Sequence, residues 1–99
     1  MAKSKWTFLS THGIVLAYIA KRPKSTTQVI AQEVGLSIRG VQQILDELEE
    51  EGYMDRQKLG RCNHYVVHPE MPMRHSLERK HNVGQILLAI GAIPKGGDE

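Results

Sequence analysis

The chain has 99 residues, of which 40% are hydrophobic and 24% are charged, which suits a single domain over residues 1–99 with one modest core. Its one cysteine excludes an internal disulfide, and we expect a reducing, cytoplasmic setting. We expect neither a signal peptide nor a membrane partner, because no apolar run approaches the roughly 20 residues of a membrane span.

The net charge of +2 hides a strong segregation of charge along the chain. Residues 1–45 hold six Lys or Arg and one acid, and residues 56–68 hold three bases and no acid. Between them, residues 46–55 hold six acids and no base. Basic regions separated in this way are typical of a protein that attracts a polyanion.

Helical spacing of apolar residues predicts a first helix that begins after Ser10 or Thr11 and ends near Lys21. Pro23 disfavours helical geometry at the residue before it and therefore ends this helix.

A helix-turn-helix is predicted over residues 26–51. Its short helix covers residues 26–34, capped by Ser25 or Thr26, and Gly35 supplies the turn. Ser37 caps a longer helix that ends before Gly52. The predicted buried positions of the two helices are Val29, Ile30, Val34, Ile38, Val41, Ile44, Leu45 and Leu48.

A β-hairpin is predicted over residues 53–68, with strands 53–58 and 63–68 around a loop that contains Gly60. A further helix is predicted from about residue 73 to residue 91, and residues 95–99 are expected to be disordered. The fold class is therefore mainly α with a small β-hairpin. Helix, turn, helix and basic hairpin follow in the order of a winged helix-turn-helix, which predicts double-stranded DNA as the partner.

The residues in this segment resemble those of small winged-helix transcriptional regulators of the MarR-like and ArsR-like kind. The resemblance covers about residues 11–68 and is carried by Ile30-Ala31, Val34-Gly35-Leu36-Ser37, Val41, Ile44, Leu48 to Tyr53, and Arg56. It implies that the third helix enters the major groove, that the hairpin is a wing on the DNA, and that terminal helices form a symmetric homodimer.

Carried over to this chain, the resemblance implies a DNA-binding surface and a dimer interface. The predicted DNA-binding residues are Thr26, Thr27, Ser37, Arg39, Gly40, Gln42, Gln43, Lys58, Arg61 and Asn63. The predicted dimer residues are Trp6, Phe8, Leu77, Val83, Ile86, Leu87 and Ile90. The last helix has a second interpretation, as a lid on the core of its own chain.

This chain departs from the family pattern at two points of the third helix. Gly40 stands where a small Ala, Ser or Thr is common, and Gln42-Gln43 replaces the usual Ser/Thr-Arg pair. Glutamine is suited to the N6 and N7 edge of adenine, so the departure changes the expected base preference.

Other functions have weaker support in the sequence. The acidic residues from Asp46 to Glu51 would repel phosphates, so only the N-terminal half of the third helix is expected in the groove, and a solvated face accounts for the rest. Cys62 beside Arg61 suggests redox sensing, but a lone loop cysteine is more often incidental. The five histidines show no metal-ligand spacing, and we find no catalytic motif and no cofactor motif.

The rival hypothesis is a winged-helix module that binds another protein through the same surface. Basic residues on the wing and Arg39 favour DNA, while the acidic block keeps the rival open. A small-molecule effector is unidentified and would need a crevice between the terminal helices and the DNA-binding lobes.

Overall fold

The computed structural model describes residues 9–60, 62–74 and 80–93. The predictions made for Trp6, Phe8, Arg61, Leu77 and the tail 95–99 lie outside these residues, as does the side chain of Cys62. Six elements follow one another: α1 (Thr11–Lys21), α2 (Thr27–Val34), α3 (Ile38–Glu50), β1 (Met54–Leu59), β2 (Cys62–Val67) and α4 (Val83–Ala89). Three helices followed by an antiparallel hairpin form a winged helix, which confirms the predicted fold class.

Each of the first three helices begins at a hydroxyl cap that the sequence predicts. The side-chain oxygens of Ser10, Thr26 and Ser37 accept hydrogen bonds from the backbone N–H three residues later, at 3.1, 3.1 and 2.9 Å. These bonds satisfy backbone donors that have no partner inside the helix. Thr26 is therefore the cap of α2 rather than its first residue.

The turn between α2 and α3 depends on Gly35, which adopts a left-handed conformation with φ +79°. Residues with a Cβ rarely adopt this conformation, so glycine lets α2 stop and the chain reverse. The N–H groups of Gly35 and Leu36 both donate to the carbonyl of Ala31, at 2.9 and 3.0 Å. The turn is short, and α3 consequently packs across α2.

The core is formed by apolar residues from all three helices, the hairpin and α4. Its buried members are Val15, Leu16, Ile19, Ile30, Ala31, Val41, Ile44, Leu45, Leu48, Tyr53, Met54, Tyr65, Val83, Leu87 and Ala92. Two predictions of burial were wrong, because Val29 is 41% exposed and Ile38 is 47% exposed. Both lie in the first turn of their helices, where the apolar spacing continues but the side chains do not pack against the core cluster.

The hairpin is attached to the helices at its base and along one edge. Strands β1 and β2 pair antiparallel from Met54–Val67 to Leu59–Cys62, close to the predicted bounds. The N–H of His68 donates to the carbonyl of Tyr53 at 2.8 Å, and the N–H of Tyr65 donates to the carbonyl of Pro23 at 2.8 Å. The wing is thereby joined to the connection between α1 and α2.

The last helix is much shorter than predicted. Residues 73–74 and 80–82 are not helical, and α4 begins only at Val83. Asn82 caps it with a reciprocal capping box, in which Gln85 bonds back to the Asn82 N–H. Pro72 pairs with Asn82 in an isolated bridge, and the N–H of Met73 donates to the carbonyl of His81 at 3.0 Å. This local pairing replaces the predicted first turns.

The position of α4 corrects part of the predicted dimer interface. Val83 is 9% exposed and Leu87 is 2% exposed, because both pack into the core of their own chain. They therefore cover the protomer as a lid. Ile86 is half-buried, while Ile90 is 51% exposed.

Candidate nucleic-acid interface

The N-terminal half of α3 presents Arg39, Gln42 and Gln43 to solvent. Gln43 Nε2 donates to Glu47 Oε2 at 3.3 Å. Within the described ranges, neither Arg39 nor Gln42 has a hydrogen-bond or ion-pair partner. Their donors and acceptors are thus free for a ligand, and a guanidinium and a side-chain amide are the groups that recognise guanine and adenine edges in the major groove.

The cap of α3 makes this end of the helix suitable for an anion. Ser37 Oγ accepts from the Gly40 N–H at 2.9 Å, and its own hydroxyl hydrogen stays available to an acceptor. A Cβ on Gly40 would lie 3.1 Å from Ser37 Oγ, which is tighter than most such contacts. Glycine at position 40 therefore leaves room for the cap, while the helix dipole favours negative charge there.

The start of α2 contributes less of the predicted surface than expected. Thr26 is exposed, and its Oγ1 is engaged as the cap through the Val29 N–H. Thr27 is half-buried. Of the two threonines, Thr26 therefore has the more accessible side chain.

One face of the hairpin changes from apolar at its base to polar at its tip. The side chains of residues 54, 56 and 58 lie on the same face of β1, because every second residue of a strand points the same way. Their partners on β2 are residues 67, 65 and 63. Met54 and Tyr65 are buried, whereas Lys58 at the tip is exposed. Asn63 is half-buried and its Nδ2 donates to the Tyr65 hydroxyl at 3.2 Å. Lys58 is thus the more accessible of this pair.

Arg56 joins the hairpin to the acidic half of α3. Its Nη2 lies 2.6 Å from Asp46 Oδ1 and 2.8 Å from Glu49 Oε1, and its Nε donates to the same Glu49 oxygen at 3.2 Å. Burial acts against the charged form of Arg56, but the hydrogen bonds that it donates to Asp46 and Glu49 outweigh this effect and raise the pKa of the guanidinium. One cation therefore offsets part of the negative charge of two carboxylates between α3 and the wing.

A second contact uses the opposite side of α3. His12 Nε2 lies 2.6 Å from Glu47 Oε1, which links α3 to the first turn of α1. Hydrogen bonds from His12 and from Gln43 lower the pKa of Glu47. Of the acidic residues, Asp46, Glu47 and Glu49 thus hold other elements in place, so the prediction of a merely solvated face was wrong for these three.

Sequence reasoning missed the contact role of Arg56, although one signal was present. Met54 is a core position, and strand alternation places Arg56 two residues later on the same inward face. A cation on an inward face, directly after an acidic helix, favours an ion pair between the two elements. The partners Asp46 and Glu49 cannot be named without the angle between helix and hairpin.

Comparison of the sequence with known protein families agrees with this geometry. Residues 10–53 match the family described as winged helix-turn-helix DNA-binding. This segment is similar to a winged helix-turn-helix DNA-binding domain. The matched segment runs from the cap of α1 to the residue before β1, so it includes the whole helix-turn-helix and excludes the hairpin and α4.

A solved structure shares the fold of this winged-helix protein. A mutant of ZitR from Lactococcus lactis is similar with a TM-score of 0.53 and 21% sequence identity, over 69% of this chain and 48% of ZitR. The chain thus spans about half the length of that protein. No curated protein matches the sequence. The narrower MarR-like or ArsR-like assignment stays a prediction.

Away from Arg39 and Gln42, an open groove of about 750 Å³ lies between the start of α1, the end of α3 and α4. Its apolar walls include Leu16, Leu48 and Leu87, and its rim includes Glu50 and Glu51. Small-molecule sites commonly have this volume. In the part of the chain that the structure describes, no cluster of His, Cys, Asp or Glu suits a metal ion, and no helix has the length and hydrophobicity to cross a membrane.

Proposed function

We propose that this winged-helix protein is a sequence-specific regulator of transcription that binds double-stranded DNA as a homodimer. The observation that carries the proposal is the contrast along α3. Arg39 and Gln42 in its first half are exposed and lack internal partners among the described residues, whereas Asp46, Glu47 and Glu49 in its second half are held by Arg56 and His12. The first half suits base edges, and the partial charge compensation in the second half reduces repulsion of phosphates.

The wing supports the same surface. Lys58 is exposed at the hairpin tip, and it lines a small cleft together with Glu49, Arg56 and Asn63, next to α3. A basic tip beside a recognition helix suits the sugar-phosphate backbone, which supplies affinity without sequence information. We assign base recognition to α3 and phosphate contact to the wing.

Homodimer formation is the second part of the proposal. Val83 and Leu87 are buried in the core of the protomer, but two other apolar residues stay exposed. Leu88 on α4 is 39% exposed, and Ile90 just after α4 is 51% exposed. Two apolar side chains at the end of a short helix are a natural contact for the same surface of a second copy. A symmetric dimer would present two copies of α3 about 34 Å apart, at successive major grooves.

The decisive experiment selects duplexes from a random DNA pool with the full-length protein and measures affinity by fluorescence anisotropy at two salt concentrations. Arg39→Gln is compared with Lys80→Gln, which removes the same charge from an exposed position outside α3 and the wing. We expect Arg39→Gln to weaken binding about tenfold or more, as loss of a base contact does, and Lys80→Gln to have little effect.

Two results would overturn the DNA proposal. One is the failure of the wild-type protein to bind any duplex at low salt, which would leave the protein-interaction module as the better hypothesis. The other is an equal effect of the two charge-removing variants, which would mean that Arg39 acts only through the overall charge of the protein.

A further inference from the structure

Ile38 is an apolar residue that folding buries only in part. It is the first residue of α3 and is 47% exposed, and it does not belong to the residues that pack against the core. Leu36, two residues earlier, is half-buried against the core cluster. Folding therefore removes only about half of the surface of Ile38 from water, and the rest stays exposed.

Ile38 differs from the other exposed apolar residues in its neighbours. It follows the cap Ser37, precedes Arg39, and lies one helical turn before Gln42 on the same side of α3. Arg39 and Gln42 are the two exposed polar side chains to which we assign base recognition. Isolated exposed apolar residues are common, but this one lies within a surface that the proposed function places in the major groove.

The chemistry of base edges restricts what an isoleucine can recognise. In the major groove, guanine, adenine and cytosine present hydrogen-bonding groups that an alkyl side chain would leave without partners. Thymine alone adds a methyl group at C5, which an alkyl side chain can cover favourably.

We propose that Ile38 is a specificity-determining residue that contacts the C5 methyl group of a thymine next to the base read by Gln42. The inference rests on the proposed function, since it requires α3 to lie in the major groove. Gln42 suits adenine and Ile38 suits thymine. The two residues together therefore favour two adjacent A·T base pairs in each half-site. An apolar contact of this kind adds discrimination without adding dependence on salt.

The test removes the methyl group from the DNA and the side chain from the protein. After selection with the full-length wild-type protein, each thymine of the chosen duplex is replaced in turn by uracil, which lacks only the C5 methyl. Affinity is measured for the wild type, for Ile38→Ala and for the control Val66→Ala, whose residue is 40% exposed on the face of β2 opposite Tyr65 and Asn63.

We expect one uracil substitution to weaken wild-type binding about fourfold, as loss of one buried methyl does, and to leave Ile38→Ala binding unchanged. Val66→Ala should respond to uracil as the wild type does. If every uracil duplex bound the wild type as well as the thymine duplex, the role of Ile38 would be excluded while DNA binding stood. A uracil effect that persisted in Ile38→Ala would assign the methyl contact to another residue. Failure of the wild type to select any duplex would overturn the proposed function and this inference together.

Discussion

Glu47 joins α3 to α1 through its contact with His12, and its carboxyl group titrates. Hydrogen bonds from His12 and Gln43 lower its pKa below the ordinary glutamate value of about 4.5. A carboxylate with a lower pKa in the folded state adds stability above its unfolded pKa and loses it as the pH falls through the folded pKa. The contribution of Glu47 is therefore complete above about pH 4.5 and disappears in stronger acid.

We predict that Glu47→Gln lowers the midpoint of thermal unfolding slightly at pH 7, and that the difference from the wild type vanishes well below pH 4.5. The effect is small because the carboxylate is solvent-exposed and its ion pair is screened. Calorimetry across this pH range measures it. Glu50→Gln is the control, since Glu50 is exposed on the same helix and has no ion-pair partner in the described ranges. A constant difference at every pH would refute the titration of Glu47 as its cause.

At the scale of elements, Arg56 determines how the hairpin is held against α3. The Arg56 side chain is 23% exposed, while its partners Asp46 and Glu49 are 67% and 39% exposed. The pair with Glu49 is the more sheltered one, with two nitrogens of Arg56 on one carboxylate oxygen. Without Arg56, two negative charges would remain beside the proposed phosphate path.

We predict that Arg56→Gln weakens DNA binding more than Lys21→Gln, which removes a charge from the end of α1. Adding Asp46→Asn and Glu49→Gln to Arg56→Gln should restore much of the affinity, because the repulsive carboxylates are then gone. Anisotropy titrations of the four proteins with one selected duplex measure both effects. Unfolding in urea should show a loss of about 1 kcal/mol or less for Arg56→Gln, because both partner carboxylates are exposed and solvent screens the ion pairs. If the triple variant bound no better than Arg56→Gln, alignment of the wing rather than charge would be the function of this contact.

At the scale of the whole molecule, the apolar residues near the end of the chain divide between the core of the protomer and the contact that we assign to assembly. Val83 and Leu87 are needed by the core, so their replacement would unfold the chain whatever its oligomeric state. Ile90 follows α4 and is half exposed.

We predict that Ile90→Glu converts the proposed homodimer to a monomer without loss of folding, because a charge at this exposed position costs the protomer little but opposes its own copy across a two-fold axis. Light scattering gives the mass, and circular dichroism verifies the fold. Val66→Glu is the control, since Val66 is 40% exposed on β2, away from α4. A mass that is the same for wild type and Ile90→Glu would place the dimer contact elsewhere or exclude a dimer.

The parts of the fold that depend on a few neighbouring residues were predictable. The caps Ser10, Thr26 and Ser37 and the turn at Gly35 are local signals, and the structure confirms each of them. The start of α4 was not predicted, because apolar spacing from residue 73 continues through a segment where Asn82 and Gln85 form a capping box. The capping pattern at Asn82 was a local signal that outweighs periodicity.

The candidate site also has features that the sequence predicts and features that it does not. Exposure of Arg39, Gln42 and Gln43 follows from the apolar stripe of α3, which makes these positions predictable. The exposure of Ile38 and the pairing of Arg56 depend on where α2 and the hairpin lie relative to α3. Such distances arise from packing between elements, and no spacing within one element determines them.

The hydrogen bond between the Tyr65 N–H and the Pro23 carbonyl has a consequence for association between molecules. A two-stranded sheet leaves backbone groups on its outer edges that can pair with a strand of another chain. Pro23 lies beside the outer edge of β2 at Tyr65. Because proline has no N–H, it cannot donate a second backbone hydrogen bond to β2. The connection between α1 and α2 therefore does not continue the sheet as a third strand at this position. This edge of the wing is closed to further strands at that point, which protects the folded protein from edge-to-edge aggregation.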